Sequence, residues 1–389
     1  MTERYIYLDH AATTPVDERV LAAMLPFFSE RFGNPSSIHR LGRAALEALD
    51  EARETVAAIL GASRKEIIFT GGGSEADNLA IKGVALARRE AGKGAHIITS
   101  AIEHHAVLHV VEQLAAFGFE STLLPVDCDG LVSPDDLRAA IRPDTVLASI
   151  MYANNEIGTV QPLAELGAIC HERGVLLHTD AVQAAGSLAL DVDELNVDLL
   201  TLAAHKFYGP KGVGALYVRR GVPLLPLING GGQERRRRAG TENIAGIVGM
   251  AAALRLAEER RPSYVEHCAA LRDRLIAGIR ARIPDAYLNG HPTRRLPNNA
   301  NLAFDGVEGE SVLLLLDQQG IAASSGSACT SGALEASHVL LALGLPHERA
   351  IGTVRFTAGK DTTAEEIDYV LDVLPQLIEQ LRSVTLAYQ

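Results

Sequence analysis

The chain has 389 residues, of which 47% are hydrophobic and 22% charged, a composition typical of a folded globular protein. Its 48 acidic and 36 basic side chains give a formal net charge of −12, which argues against nucleic acid or an anionic membrane as the main partner. No apolar run approaches the ~20 residues of a membrane helix. The four cysteines show no disulfide or metal spacing and the N-terminus shows no signal pattern, so we expect a cytoplasmic protein.

Apolar runs and helical spacings alternate along most of the chain, which is long enough for a large domain and a smaller one. Strands are predicted near 5–8, 67–69, 96–99, 123–126, 146–152, 175–178, 197–202, 214–218, 286–288, 300–304 and 354–357. Helices are predicted near 19–30, 41–60, 75–90, 104–117, 133–141, 162–173, 241–259, 263–283, 310–318, 335–343 and from 363 onward. Strand–helix alternation predicts an α/β fold with a mostly parallel sheet flanked by helices. Pro262 marks the predicted boundary, with a large domain over 15–261 and a smaller α+β domain over 262–389 that includes the N-terminal segment 1–14.

The strand predicted over 197–202 leads to a lysine, Lys206, directly before a Gly/Pro-rich turn. A lysine at the end of a buried strand is costly unless it pairs, coordinates or reacts, and the reactive option is an amine that condenses with an aldehyde. The strand predicted over 175–178 ends near a carboxylate, Asp180, with Gln183 three residues beyond it. A lysine for the aldehyde and an aspartate for the pyridinium nitrogen are what pyridoxal phosphate requires. The spacing alone leaves a surface lysine after a strand as the alternative.

Two further stretches follow predicted strands and open helices. Gly71-Gly72-Gly73-Ser74 offers glycine backbone amides and a helix N-terminus to a phosphate, and a plain turn with Ser74 as helix cap is the alternative. Glu103-His104-His105 brings a histidine that can stack on a flat cofactor and move protons. Adjacent histidines lack the i, i+4 spacing of a metal pair on a helix, so we predict no metal site.

Two residues near the C-terminal end are candidates for substrate chemistry. Cys329 lies within the Ser/Gly-rich stretch 324–332, which predicts an exposed, mobile loop and favours a reactive thiolate that can visit one site and deliver to another. Arg355 lies on a predicted apolar strand, where a buried guanidinium needs a partner. That partner is either a substrate carboxylate held by two hydrogen bonds or an internal Asp or Glu.

Taken in order, these stretches resemble the cysteine desulfurases of the NifS/IscS type (group I), which are pyridoxal-phosphate enzymes of fold type I within the aminotransferase class V family. The resemblance covers nearly the whole chain. The matching stretches are 7–15, 33–37, 69–83, 103–104, 154–162, 178–183, 204–206, 230–243, 324–332 and 354–356. The resemblance implies a homodimer with a large domain built on a mostly parallel sheet and a smaller α+β domain.

The resemblance also implies roles around the cofactor ring. Lys206 is similar to the lysine that forms the Schiff base, and Asp180 to the partner of the pyridinium nitrogen. Gln183 corresponds to the contact of the ring hydroxyl, and His104 to the stacking histidine that moves protons. Asn155 corresponds to a residue near both the ring and the substrate carboxylate.

The phosphate ligands implied by the resemblance are Gly73, Ser74 and His205, with Thr241 reaching the phosphate of the partner subunit. One departure concerns this group, because the family usually has a serine where this chain has Ala203. The missing hydroxyl predicts a lower affinity for the cofactor.

For the substrate, the resemblance implies that Arg355 anchors the carboxylate of L-cysteine and that Cys329 accepts its sulfur as a persulfide while L-alanine is released. The sulfur would go to iron–sulfur cluster assembly through a scaffold protein, or to another acceptor. The chain ends at Gln389 without the longer C-terminal extension through which some members bind a scaffold, so the resemblance implies that partner less directly than the desulfuration itself. The alternatives are a selenocysteine lyase, a class V aminotransferase, and a non-catalytic regulatory protein that binds the cofactor.

Overall fold

The structure, a computed structural model, describes residues 5–325 and 336–387, the last four of them by backbone alone. Its strands are, in chain order, β1 (Ile6–Tyr7), β2 (Ile67–Thr70), β3 (His96–Ser100), β4 (Glu120–Leu124), β5 (Thr145–Ser149), β6 (Leu176–Asp180), β7 (Leu199–Ala203), β8 (Gly214–Val218), β9 (Ala286–Leu288), β10 (Asn299–Phe304), β11 (Ile321–Ala322) and β12 (Thr353–Thr357).

Helices alternate with these strands over most of the described chain. They are α1 (Glu18–Met24), α2 (Pro26–Ser29), α3 (Arg40–Ile59), α4 (Gly73–Glu90), α5 (His105–Ala115), α6 (Pro134–Ala140), α7 (Leu163–Glu172), α8 (Gln233–Arg236), α9 (Ile244–Arg282), α10 (Gly309–Gln318), α11 (His338–Ala342), α12 (His347–Ile351) and α13 (Ala364–Ala387). A 3-10 turn over Ala204–Lys206 follows β7 directly.

A seven-stranded sheet in the order β2-β8-β7-β6-β5-β3-β4 forms the centre of the larger part. The strands from β7 to β4 are parallel, whereas β8 is antiparallel to both of its neighbours, so β2 runs in the same direction as β7. The carboxyl ends of β2, β3, β5, β6 and β7 therefore meet at one edge of the sheet. Ligands of open α/β sheets bind at such an edge. The predicted α/β fold of type I, with its mostly parallel sheet, is confirmed.

A second hydrophobic core lies around an antiparallel sheet in the order β12-β10-β9 and is covered by α10 and α13. The N-terminal strand β1 belongs to this part, because it pairs in parallel with β11, and its Ile6 and the following Leu8 are buried in the same core. The sequence places the N-terminal segment with the smaller domain in the same way.

The helix α9 differs from its prediction, because the two helices expected on either side of Pro262 are one continuous helix. Its first half packs against the core of the large sheet through residues from Ile244 to Ala257. Its second half packs against the smaller core through residues from Cys268 to Ile279. Packing on two cores overrides the low helix propensity of an exposed proline. The change of core near Pro262 supports the predicted domain division, which itself stays a prediction.

Shorter differences have local causes. The helix predicted over 19–30 is two helices, α1 and α2, because Pro26 cannot donate to the turn before it and becomes the first residue of α2. The strand β4 begins before its predicted range because its register follows β3, from His96 opposite Glu120. Within the part of the chain that the structure describes, no helix is long and apolar enough to cross a membrane.

Candidate active site

A cavity of about 230 Å³ opens at the carboxyl edge of the large sheet. Each strand that ends there contributes side chains to its wall, directly or through the segment that follows. The cavity brings together most of the residues predicted for the cofactor, namely Lys206, Asp180, Gln183, His104, Gly73, Ser74, His205 and Asn155.

Lys206 reaches the cavity from the 3-10 turn after β7. Its Nζ donates hydrogen bonds to the carbonyl oxygens of Ala11 and Ala12, the second at 2.8 Å. The N-terminal segment therefore holds the amine in place, and Gln183 donates from Nε2 to the same Ala11 carbonyl at 3.0 Å. The lysine is thus positioned inside the cavity, which argues against the alternative of a surface lysine after a strand.

Asp180 is the last residue of β6 and lies in the wall of the same cavity. Burial raises the pKa of its carboxyl from 3.8 to about 6, although a hydrogen bond from the Val182 N–H at 2.9 Å and the charge of Lys206 act in the opposite direction. A buried carboxylate of this kind gains most from a cationic partner. A protonated pyridine nitrogen is such a partner.

His104 caps the N-terminus of α5, where its Nδ1 accepts a hydrogen bond from the Ala106 N–H at 3.1 Å. Burial, followed by the charge of Lys206 and neighbouring histidines, lowers the pKa of His104 to about 4. The ring is therefore neutral at physiological pH, and its proton belongs on Nε2 because Nδ1 accepts. This neutral ring can lie against a flat cofactor and exchange one proton.

The glycine loop before α4 forms a cradle for an anion. A Cβ added at Gly73 would lie 3.0 Å from Cγ2 of Val182 and 3.4 Å from Cβ of Ala203, so a small residue is needed there. The N–H of Gly71 donates to Oε2 of Glu75 at 2.8 Å, and Glu75 in turn pairs with Arg238 at 2.8 Å. The loop is thus fixed from one side while the N-terminus of the 18-residue helix α4 points its free amides to the cavity edge.

His205 completes this part of the cavity wall. Its Nδ1 lies 3.1 Å from the Thr13 hydroxyl, and burial followed by the charges of Lys206 and Lys211 lowers its pKa to about 4. A neutral His205 can donate one N–H to a phosphate oxygen.

Arg355 lies outside the residues that line the cavity but touches one of them. Its Nη1 donates to the carbonyl oxygen of Asn155 and its Nη2 pairs with Oδ1 of Asp9, both at 2.8 Å. Asp9 is thus the internal carboxylate that the sequence left open as a partner. The buried Nε of Arg355 has no hydrogen-bond partner among the described residues. The anchoring of a substrate carboxylate by Arg355 stays a prediction.

Two predicted residues are not brought into this cavity. Thr241 is exposed and lies after α8, whose residues Glu234 and Arg235 have left-handed φ values of 44° and 56°. This strained backbone is held by the buried pair of Glu234 with Arg53, at 2.7 Å. Cys329, with most of the stretch 324–332, lies outside the described residues.

Four residues of the cavity wall were not among those predicted from the sequence, namely Asp77, Met151, Ala153 and Val182. Asp77 carries a signal that could have found it. It lies in the apolar row of α4 that continues with Ala80, Ile81 and Val84, all buried. A carboxylate in such a row needs a partner or a function. The other three are apolar and give no such signal.

The residues present fit pyridoxal 5′-phosphate. The cavity offers an amine at Lys206, a carboxylate at Asp180, an anion cradle at Gly73 and Ser74, and one buried polar atom, Oδ1 of Asp77, without a hydrogen-bond partner. Among the described residues, no group of three or more His, Cys, Asp or Glu side chains has the geometry to hold a metal ion.

Comparison with known proteins gives the same result. The model of the aminotransferase class-V family matches residues 6–370. Cysteine desulfurase IscS of Dictyoglomus turgidum is 55% identical over 383 residues, which cover 98% of this chain and 97% of that protein. Cysteine desulfurase IscS of Methanosarcina thermophila is also 55% identical, over 98% of this chain and 93% of that protein.

Solved structures agree with these relatives. A NifS-like protein superposes with a TM-score of 0.91 at 39% identity and covers 97% of this chain and 100% of its own. The structure of SspA in complex with cysteine superposes with a TM-score of 0.80 at 40% identity, over 90% of this chain and 98% of its own.

A sheet edge that presents a lysine, an aspartate and an anion cradle to one cavity defines a pyridoxal-phosphate-dependent enzyme of fold type I. The chain belongs to the aminotransferase class-V family, and its resemblance to the NifS/IscS-type members is confirmed.

Proposed function

We propose that this protein is a cysteine desulfurase, which converts L-cysteine to L-alanine and takes up the sulfur as a persulfide. The observation that carries the proposal is the meeting of Lys206 and Asp180 in one cavity, within a chain that is 55% identical over nearly its full length to proteins named cysteine desulfurase. The structure of SspA with cysteine supports the choice of substrate.

Pyridoxal phosphate, when bound, supplies an electron sink for the carbon that loses its proton. Lys206 would hold the aldehyde and, once the substrate amine takes its place, would remove the α-proton through Nζ. Asp180 would keep the proton on the ring nitrogen. His104, neutral and with its proton on Nε2, would stack on the ring and move a proton at the substrate. Each of these side chains reaches the same cavity.

Binding of the substrate carboxylate is assigned to Arg355 and Asn155. The carbonyl of Asn155 holds Nη1 of Arg355 at 2.8 Å, which ties the guanidinium to a residue of the cavity wall. The unpartnered Nε of Arg355 is the donor that a carboxylate can use.

Cys329 is the proposed sulfur acceptor. Its thiolate would attack the substrate sulfur, so that an S–S bond forms and the C–S bond breaks. The electron pair of the broken bond remains on carbon, which is then protonated to give alanine. The buried Cys170 and Cys268 are poor candidates, because burial raises the pKa of each thiol to about 12.

We propose further that the protein works as a homodimer. Thr241 is exposed and does not line the cavity of its own subunit, yet its loop is anchored by the Glu234–Arg53 pair. Large apolar side chains of the N-terminal helical region are also exposed and would be covered by a second copy, namely Leu21, Leu25, Phe28, Phe32 and Ile38. Thr241 would then contact the phosphate in the partner subunit.

The acceptor of the sulfur is proposed to be an iron–sulfur scaffold protein in the cytoplasm. The three described cysteines are all unpaired, as in a reducing compartment. The net charge of −12 supports neither nucleic acid nor an anionic membrane as a partner.

The test is the release of alanine and sulfide from L-cysteine under a reductant, measured for the wild type, Cys329→Ala and Cys128→Ala. Cys128 is a matched control, because it is an exposed cysteine in a turn. We expect release by the wild type and by Cys128→Ala but none by Cys329→Ala. Alanine formation that survives Cys329→Ala would indicate a lyase that needs no thiol, such as a selenocysteine lyase. Absence of alanine from the cofactor-loaded wild type would contradict the proposal.

A further inference from the structure

Asp77 is a buried carboxyl group of the cavity to which the proposed function gives no role. It lies on α4, one turn beyond the glycine loop, and is 1% exposed. Its Oδ1 has no hydrogen-bond partner among the described residues. A charged oxygen without a donor in such a place is strongly disfavoured.

The other oxygen of Asp77 ends a chain of hydrogen bonds that crosses three neighbouring strands. Thr201 on β7 hydrogen bonds to Asp77 through its hydroxyl, whose oxygen also lies 3.1 Å from Nε2 of His178 on β6. Nδ1 of His178 lies 2.8 Å from the hydroxyl of Ser149 on β5. In a consistent arrangement, Ser149 donates to Nδ1, Nε2–H donates to Thr201, and Thr201 donates to Asp77.

This chain consists of neutral groups. His178 is fully buried, and burial lowers its pKa to about 3, so its ring carries no charge to offset Asp77. Its Nε2 is 3.6 Å from Oδ1 of Asp77, which is beyond hydrogen-bonding distance. An ion pair between the two would desolvate two charges for a weak contact.

Asp180 is also buried, and burial raises its pKa to about 6, but its carboxylate has a backbone donor and a nearby cation. It accepts a hydrogen bond from the Val182 N–H at 2.9 Å and is attracted by Lys206, and both interactions favour its charged form. For Asp77, burial and then the negative charge of Asp180 raise the pKa well above its ordinary value, and the charge of Glu103 adds to this, although the hydrogen bond with Thr201 acts in the opposite direction. When two carboxyl groups interact in this way, one of them keeps a proton.

We propose that Asp77 is a positioning residue that keeps its proton on Oδ1 while Asp180 is ionised. The single negative charge of Asp180 would then face the single positive charge of the protonated ring nitrogen. The proposal rests on the proposed function only through the cofactor, whose ring nitrogen is the partner of Asp180. A neutral Asp77 leaves Asp180 as the single carboxylate that attracts the nitrogen.

The test uses infrared spectroscopy of the holoenzyme at neutral pH, with the aspartate carboxyls labelled with carbon-13. Labelling of aspartate alone excludes Glu103, whose pKa burial raises to about 8. We expect the band of one protonated aspartate, sensitive to the label and to D₂O, which is lost in Asp77→Asn. The matched control is Asp198→Asn, in which the band should remain. Asp198 is another buried aspartate, whose Oδ2 accepts from the Leu177 N–H at 2.8 Å.

A second readout is the pH titration of the absorbance of the bound cofactor. Asp77→Asn replaces one neutral group by another and should leave the midpoint unchanged, whereas a shift of a pH unit or more would show that Asp77 is charged and overturn the proposal. A labelled wild type without the band, or a band that survives in Asp77→Asn, would also overturn it. If Asp77→Asn does not fold, labelled Asp180→Asn takes its place, because the band should remain in that variant and its loss would assign the proton to Asp180 and overturn the proposal.

The two proposals fail separately. A holoenzyme that shows the aspartate band but releases no alanine from L-cysteine would contradict the desulfurase function and support the role of Asp77. A holoenzyme that releases alanine but lacks the band would do the reverse.

Discussion

Nη2 of Arg355 lies 2.8 Å from Oδ1 of Asp9, so that a strand of the smaller core and the N-terminal segment share one ion pair. The arginine side chain is 3% exposed and that of the aspartate 19%. The guanidinium is therefore held in a fixed orientation before any substrate arrives, with Nε still without a partner among the described residues.

Arg355→Lys tests the assignment of the substrate carboxylate. A lysine cannot donate to Asp9, the Asn155 carbonyl and a carboxylate with the same geometry. The loss of charged hydrogen bonds should raise the KM for L-cysteine by about 10- to 100-fold. The control is Arg349→Lys, which alters a partly exposed pair with Asp305. An unchanged KM in Arg355→Lys would mean that the carboxylate is bound elsewhere.

Ala203→Ser tests the missing phosphate hydroxyl. Ala203 lines the cavity beside Gly73, so a serine there would present its hydroxyl to the anion cradle. One added hydrogen bond should lower the Kd for pyridoxal phosphate by about 2- to 10-fold. Equilibrium dialysis measures the change, with Ala153→Ser, at another alanine of the cavity wall, as the control. Equal affinities in wild type and Ala203→Ser would show that the hydroxyl has no part in binding.

Asp180→Asn should separate stability from cofactor binding. Because the pKa of Asp180 is raised from 3.8 to about 6, the folded cofactor-free protein keeps a proton that the unfolded chain loses between these values. The free energy of unfolding therefore falls as the pH rises through this window, and the loss is complete above it.

At neutral pH, cofactor-free Asp180→Asn should be more stable than the wild type by about 1–3 kcal/mol. Its affinity for pyridoxal phosphate should fall, since the partner of the ring nitrogen is lost. Urea denaturation of both proteins at neutral pH and near pH ~4 is the measurement, and the difference should vanish at the lower pH. A less stable Asp180→Asn at neutral pH would contradict the argument.

Arg53→Met tests the anchor of the loop that leads to Thr241. Removal of Arg53 leaves Glu234 buried without its cation, which should lower the free energy of unfolding by about 3–5 kcal/mol. Arg138→Ala, in an exposed pair with Asp135, should cost only about 0–1 kcal/mol. Both changes are read from denaturant midpoints, and a similar cost for the two pairs would refute the role of burial.

The sequence was sufficient for the residues that directly follow strands. Asp180, His104, Lys206 and the glycine loop each come at or after a predicted strand end, which local patterns marked one by one. The parallel strands of the structure bring these ends to one edge, where the residues line the same cavity. The partner of Arg355 could not be found in this way. Asp9 meets Arg355 only because the N-terminal segment packs on the smaller core, and no local sequence pattern predicts this packing.

Other features were hidden for different physical reasons. β4 is an edge strand with mostly exposed side chains, so its start carries no apolar run. Pro262 is a reliable local sign of a helix end, yet packing on both sides of it decides the outcome. Asp77 is recognisable in the sequence only as a carboxylate within an otherwise apolar helical row. Its hydrogen-bond partner, Thr201, lies on β7, so no local pattern identifies its role.

The continuous helix α9 limits how this enzyme can admit its substrate. One half of the helix is buried in each core, so a single continuous helix of 39 residues connects the two cores. A hinge rotation of one core against the other would have to bend α9 and disrupt the packing of both of its halves. We therefore expect substrate entry and product release to depend on movements of shorter segments around the rim of the cavity. The two cores should keep the same relative orientation throughout turnover.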